Sequence, residues 1–313
     1  MTTRRLLLGA ALGALALSGT AAAQDLKEFR IGYQKGGLLA VVKQQKTIEA
    51  RFKTLGVASV KWIEFQYGPP LLEALGVGSI DLGTVGDTPP IFAQAAGANV
   101  VYVAATPASE SALIVPAASP IRSLADLKGR KVAFARGSSS HNLTVQVLAK
   151  AGLTYADITP VYLTPADAAA AFARGSIDAW TIWDPYYAIA EKRQKARTLA
   201  TTKDVDGSNS FYLANRDFAK RHPEALRAVL DELAKATQWA DKNRDKLAAA
   251  ISEVTGVELE AQQAAVNRAR INFGPVSDAV IAQQQAIADT FVKLGLIPRA
   301  ITVRDAVWRP SGS

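Results

Sequence analysis

The chain repeats part of itself. Arg30-Ile31-Gly32-Tyr33-Gln34-Lys35-Gly36-Gly37 is echoed by Lys131-Val132-Ala133-Phe134-Ala135-Arg136-Gly137-Ser138 at an offset of 101. Gly78-Ser79-Ile80-Asp81 recurs as Gly175-Ser176-Ile177-Asp178 at an offset of 97, and there Leu75 meets Phe172 and Asp87 meets Asp184. A four-residue match alone would be chance. Two matches in the same order at nearly equal spacing exceed what the small vocabulary of βαβ units supplies. Each copy reads strand, glycine loop and helix, then helix, strand and an aspartate before a proline-containing helix start. The chain is thereby constrained to two similarly built α/β lobes. Each would present helix N-termini at the carboxyl ends of its strands, where open α/β sheets bind ligands. The length of 313 residues agrees, because a single core rarely grows beyond ~250–300 residues.

The patterning between the echoes supplies the elements. Phe29 to Tyr33 alternates as a strand, and Leu38, Val41, Gln45, Ile48 and Phe52 fall on one face of a helix ended by Gly56. Val60–Phe65 and Ile80–Thr84 are further strands, and Pro69-Pro70 opens a short helix. Asp87-Thr88-Pro89-Pro90 reads as an N-cap followed by proline in the first turn. This βαβ rhythm predicts parallel sheets flanked by helices. From Pro223 to about Leu294 the pattern is helical almost throughout.

The first 23 residues have the three-part layout of a bacterial export signal. Arg4-Arg5 precede an apolar run from Leu6 to Leu17, and Ala21-Ala22-Ala23 offers a small-residue cleavage site. A run of about a dozen residues is too short for the ~20 that span a bilayer. Cleavage near Ala23 would leave the mature protein free in an exported compartment, the periplasm. Thr3-Arg4-Arg5-Leu6 leans towards twin-arginine export without its full pattern, so both export routes stay open. The absence of cysteine excludes disulfides, thiolate nucleophiles and iron–sulfur clusters, and two histidines are too few for a His-based metal cage. No cofactor or metal is expected; a metal site built on Asp, Glu and backbone oxygens stays open, though no acidic cluster has calcium-loop spacing. Formal charge is +8, and +6 once Arg4 and Arg5 are gone, with 34 Lys+Arg against 28 Asp+Glu. The basic residues are dispersed, and the densest run, Glu191 to Arg197, suits a solvated helix end. Nothing interleaves them with aromatics, so no nucleic-acid partner is expected; a mild field that captures a small anion fits better.

The chemistry gathers at the helix starts. Ser138-Ser139-Ser140-His141 follows a strand directly, which puts three hydroxyls and an imidazole where backbone amides lack partners and the helix dipole is positive. Such a site can surround an anion. Gln34 and Gly86-Asp87 are the corresponding loops of the first lobe. Asp87 would repel an anion, so it is read as capping its own helix and exposing the Gly86 and Thr88 amides. The alternative is that Asp87 or Asp184 receives a substrate ammonium group. Trp183, at a strand exit among Trp180, Tyr186 and Tyr187, is the candidate wall for an aliphatic body. A Ser/His hydrolase is the competing class. No G-x-S-x-G elbow or S-x-x-K motif is present, and no third group orients His141.

Several segments together resemble one family. Tyr33-Gln34-Lys35-Gly36, Gly68-Pro69-Pro70-Leu71-Leu72-Glu73-Ala74-Leu75, Val77-Gly78-Ser79-Ile80-Asp81-Leu82-Gly83, Gly137 to Leu143 and Ile182-Trp183-Asp184-Pro185-Tyr186-Tyr187 are similar to the aliphatic sulfonate-binding proteins of bacterial ABC importers. The resemblance runs from about Leu26 to Pro310 and is looser in the C-terminal helices. It implies a two-lobed clamshell of the type II periplasmic-binding class, with the ligand cleft between lobes. Lobe I would hold 25–108 plus 210–313 and lobe II 109–209, hinged near Ala105–Ser111 and Asp206–Phe211. It implies a non-enzyme that captures an alkanesulfonate anion as a monomer and delivers it to a cognate membrane permease. Taurine, a sulfate ester or nitrate are the alternative ligands. Carried over by position, the ligand residues are Gln34, Gly86, Asp87, Ser138, Ser139, Ser140, His141, Trp183 and Asp184. With His141 on the ligand, affinity would rise modestly as pH falls through the histidine range.

Overall fold

The structure, a computed structural model, describes residues 26–206 and 208–309. The export signal expected over 1–23 lies outside these residues. The chain runs first through β1 (Glu28–Tyr33), α1 (Leu38–Gln45), α2 (Thr47–Lys53), β2 (Ser59–Glu64), α3 (Gly68–Gly76), β3 (Leu82–Val85), α4 (Thr88–Ala95) and β4 (Val100–Pro107). It continues with β5 (Ser111–Val115), β6 (Lys131–Phe134), α5 (Ser139–Lys150), β7 (Thr159–Tyr162), α6 (Pro165–Ala173), β8 (Ala179–Trp183), α7 (Tyr186–Gln194) and β9 (Arg197–Thr201). It closes with β10 (Asn209–Asn215), α8 (Arg216–Arg221), α9 (Pro223–Lys242), α10 (Arg244–Thr255), α11 (Leu259–Arg268) and α12 (Asp278–Lys293).

Two five-stranded sheets result, in the orders β2-β1-β3-β10-β4 and β7-β6-β8-β5-β9. Each has three parallel strands joined through helices, then one antiparallel strand contributed from across the molecule. The internal echo is therefore an echo of topology: β1 corresponds to β6 and β3 to β8, while β10 and β5 are the exchanged strands. Each sheet is covered on both faces. Phe29, Leu39, Phe52, Leu226 and Val229 fill one face of the first sheet, and Leu71, Ile91, Phe211 and Phe291 fill the other. The second sheet lies between a layer built on Leu113, Phe134 and Leu148 and one built on Phe172 and Trp180. Continuous apolar strands such as Ser111–Val115, buried throughout, are what a doubly covered sheet requires.

Two expectations change. The single helix expected from Leu38 to Gly56 is broken, because Lys46 adopts a left-handed backbone (φ 55°) that ends α1 and starts α2. Ile48 and Phe52 still reach the core, since the break only redirects the second segment. The helical C-terminal region is interrupted between Arg268 and Asp278, where Gly274 instead pairs with Ala105 beside the exchanged strands.

Candidate functional site

A cleft of about 200 Å³ lies between the two sheets, lined by residues from both. It is below the ~300–1,000 Å³ of drug-sized pockets, so it suits a small molecule. Four helix starts converge on it: Gly36, Gly37 and Leu38 before α1, Gly86 and Asp87 before α4, Ser138 and Ser139 at α5, and Asp184, Pro185 and Tyr186 at α7. Among the described residues, the amides of Ser139 and Ser140 donate to no protein acceptor. Free N–H groups and positive dipole ends from two lobes make the cleft electropositive without a cluster of basic side chains.

The two lobes touch closely at this point. A Cβ added to Gly86 would lie 2.8 Å from the Cβ of Ser139, so only glycine lets the β3–α4 loop reach the start of α5. Asn142 Nδ2 crosses the same gap to donate to Asp87 Oδ2 at 2.7 Å. Asp87 stands at the N-cap position of α4, but its side chain makes no capping hydrogen bond. It accepts from Thr88 Oγ1 at 2.7 Å and from Asn142, and burial raises its pKa against those bonds. Asp87 is a strut between lobes.

The carboxylates of the cleft are all engaged. Asp184 accepts from the Ala188 amide at 3.0 Å and faces Arg268 Nη1 at 3.3 Å. Burial pushes its carboxyl up to about 6 despite that guanidinium. Glu110 accepts from Thr202 Oγ1 at 2.9 Å. Each aspartate that lines the cleft is thus held by protein partners. Of the cations, Lys35 Nζ donates to the Thr255 carbonyl at 2.9 Å and lies 3.3 Å from Glu64. Arg270 lines the cleft, exposed, and among the described residues forms no ion pair. Sequence reasoning missed it, because a lone arginine after a helix carries no motif.

Seven of the nine expected residues line the cleft: Gln34, Gly86, Asp87, Ser138, Ser139, Trp183 and Asp184. Gln34 Nε2 donates to the Thr84 carbonyl at 2.9 Å, which fixes its amide at the rim. Ser138 Oγ donates to the Ala135 carbonyl at 2.7 Å and so accepts from Ser140 Oγ at 2.8 Å. Ser140 is fully buried and does not line the cleft, because its hydroxyl turns inward to that bond. Ser139 is among the residues that line the cavity.

His141 also lies elsewhere. Its ring is fully buried and stacks on Phe134 with centroids 4.9 Å apart. Nδ1 accepts from the Gly137 amide at 3.2 Å, which leaves the proton on Nε2 to be donated to Tyr155 Oη at 3.0 Å. Both nitrogens are spent within the protein. Burial, aided by the nearby Arg136 guanidinium, pushes its pKa down to about 4. The expected rise in affinity at histidine pH has no imidazole in the cleft to produce it.

The apolar wall is broader than sequence suggested. Trp183 packs edge-on to Tyr186 with centroids 6.3 Å apart, and opposite them stand Leu247, Ile251, Val266 and Ile271. Among the described residues, no group of three or more His, Cys, Asp or Glu could hold a metal, and no helix is long and apolar enough to cross a membrane.

Comparison with known proteins agrees with this architecture. Residues 52–246 match the family described as NMT1/THI5 like. An aliphatic sulfonates-binding protein of Escherichia coli (strain K12) is 41% identical over 314 residues, covering 98% of each chain. The crystal structure of the periplasmic aliphatic sulphonate binding protein SsuA from Escherichia coli superposes with a TM-score of 0.82 over 92% of this chain and 94% of that one. SsuA from Xanthomonas axonopodis pv. citri, bound to MOPS, is 41% identical with a TM-score of 0.85 over 91% of this chain and 99% of that one. The two lobes and their paired five-stranded sheets thus have solved counterparts, and the chain belongs to the NMT1/THI5-like family and, within it, to the aliphatic sulfonate-binding proteins.

Proposed function

We propose that the protein captures alkanesulfonates in the periplasm and hands them, unaltered, to the membrane permease of an ABC importer. The observation that carries this reading is the convergence of four helix starts from two lobes on a cleft whose carboxylates are all engaged. A sulfonate is a weakly basic anion with three oxygens, and uncharged amides can hold it without a proton transfer. The head sits on the Ser138–Ser139 helix start, covered by Gly86 and Gln34, with Arg270 supplying charge from the first lobe. The aliphatic body lies between Trp183 and the wall of Leu247, Ile251 and Val266. Engaged aspartates favour unsubstituted alkanesulfonates over taurine, whose ammonium would find no free partner. Binding without turnover follows from His141: its nitrogens bond Gly137 and Tyr155, so it cannot serve a serine in the cleft.

The crossings between β4 and β5 and between β9 and β10 serve as hinges, with lobe II spanning 109–209. The protein acts as a monomer after losing residues 1–23. Calorimetry with methanesulfonate, 1-hexanesulfonate and taurine tests the reading. Ser139→Ala and Arg270→Ala should each weaken hexanesulfonate binding about twofold to hundredfold, as one neutral or one charge-assisted hydrogen bond is worth about 0.5–3 kcal/mol. Trp183→Ala should weaken hexanesulfonate more than methanesulfonate. Unchanged affinity in both head-group variants, or release of sulfite from any substrate, would overturn it.

A further inference from the structure

At one edge of the cleft α7, from the second lobe, meets α11, from the first. Membership is clear from packing: Tyr187 and Ala190 join the core beside β8, and Val266 joins the core beside β1. The same segments also line the cavity, through Asp184, Pro185 and Tyr186 on one side and Gln262, Ala265, Val266 and Ala269 on the other. The α7–α11 contact can therefore exist only while the lobes are together.

The contact is chiefly ionic. Arg268 of α11 reaches Asp184 at 3.3 Å, pairs with Glu191 and lies 4.2 Å above the Tyr187 ring. In return, Lys192 and Arg193 of α7 pair with Glu260, at 2.5 Å, and with Glu258. Cations thus cross the seam in both directions. The apolar part is small, built on Ala188, Val257 and Ala261 with Ile189 and Ala264 beside them. Such a contact holds little by hydrophobic area, so its charges decide whether it stays shut.

The four pairs are unequal. Lys192–Glu260 and Arg193–Glu258 are exposed and worth little singly. Asp184 is 4% exposed along its side chain and Arg268 24%. Opening would leave the carboxylate in its burial pocket without the guanidinium, and separating one partner from a buried pair is the costly event.

We propose that α11 is a latch on the closed cleft, in which Arg268 is the positioning residue that ties the cleft-lining start of α7 to the first lobe. Resting on the sulfonate reading for its ligand only, the latch sets how long a captured anion is retained. Arg268 touches no ligand in this assignment. Its effect falls on release, because encounter takes place with the latch open.

The test uses the whole mature protein. Stopped-flow tryptophan fluorescence with 1-hexanesulfonate should show the dissociation rate rising at least about tenfold in Arg268→Ala, with the association rate within about twofold of the parent. Arg268→Lys, which keeps charge but loses the forked geometry, should fall between them. In Asp184→Asn, replacing Arg268 by Ala should cost clearly less than in the parent, since the coupling is already gone. A second arm needs no ligand. Among the described residues there is no cysteine, so spin labels at Lys53→Cys and Arg174→Cys, both exposed and one on each lobe, report lobe separation. Arg268→Ala should move that distribution to longer distances, as should 1 M NaCl on the parent. A slower association with unchanged dissociation, or an unmoved distance distribution, would overturn the latch. Should the parent fail to bind hexanesulfonate at all, the ligand reading falls and the spin-label arm still decides the latch.

Discussion

The lobes are joined across two seams that solve one problem with different physics. At the α7–α11 seam, ion pairs cross in both directions over a small apolar patch. At the other seam, Phe92 of α4 and Phe291 of α12 press on His141 of α5, with Phe291 edge-on at a centroid distance of 5.1 Å. Gly137 contributes there too, since a Cβ on it would lie 3.5 Å from the Phe92 ring. The aromatic seam runs on to Tyr155 and Tyr162, with His141 hydrogen-bonded to Tyr155 and Tyr155 to Tyr162. One seam depends on ion pairs that cross it; the other is built on packed rings, with the Asp87–Asn142 hydrogen bond beside them. A seam that must part can be ionic, because water solvates its exposed pairs, Lys192–Glu260 and Arg193–Glu258, on opening, and only the Asp184–Arg268 pair resists. An aromatic seam resists parting, since opening exposes apolar area to water at ~25 cal/mol per Å².

The largest effect that would break this comparison is expected at Phe291, which is fully buried. Phe291→Ala should cost about 3–5 kcal/mol in a denaturant titration, as truncation of a buried aromatic does. A loss under 1 kcal/mol would show that the aromatic seam is not a structural contact.

Acid should act next, and through His141. Its folded pKa, near 4, lies below the ordinary 6.5, so the unfolded chain binds the proton first as pH falls. The stability due to neutral His141 is complete above pH 6.5 and is lost as pH falls from there through about 4, amounting to up to about 3 kcal/mol. Unfolding measured from pH 7 to 4 should show this slope, and His141→Phe should flatten it. Between pH 8 and 6 hexanesulfonate affinity should change little, because His141 does not face the ligand. A marked rise in affinity over that range would return the imidazole to the cleft.

Salt should have the smallest effect and sharpen the contrast most. Raising NaCl from 0.1 to 1 M shortens the screening length from about 10 to about 3 Å. Release of a bound sulfonate should quicken a few-fold, while the stability difference between the parent and Phe291→Ala stays constant. Equal salt sensitivity at both seams would erase the distinction.

Much of the fold was legible because it rests on local rules. The echo found the two lobes through strand–loop–helix units, whose order and spacing are local features of the chain. Helix starts near Asp87, Ser138 and Asp184 could be read because residue preferences and prolines at a first turn are local signals, although neither Asp87 nor Ser138 makes a capping bond in the fold. The same locality misled at Lys46. Apolar spacing ran on unbroken from Leu38 to Phe52, and the left-handed backbone at Lys46 that splits it is seen only in the folded chain, where Ile48 and Phe52 of α2 pack into the first core.

The sequence alone determined that there would be two α/β lobes, that glycine and serine loops would meet at strand ends, and that an anion-friendly cleft would be built from backbone. Tertiary structure decided which members of those loops face the cleft. Ser139 lines it while Ser140 and His141, one and two residues on, do not, because successive residues of a helix are about 100° apart around its axis. It also decided the partners of Asp87 and Asp184: Asn142 is 55 residues away and Arg268 is 84. Such pairings depend on how two lobes dock, and no local propensity encodes a distance between surfaces that meet only when the chain has folded.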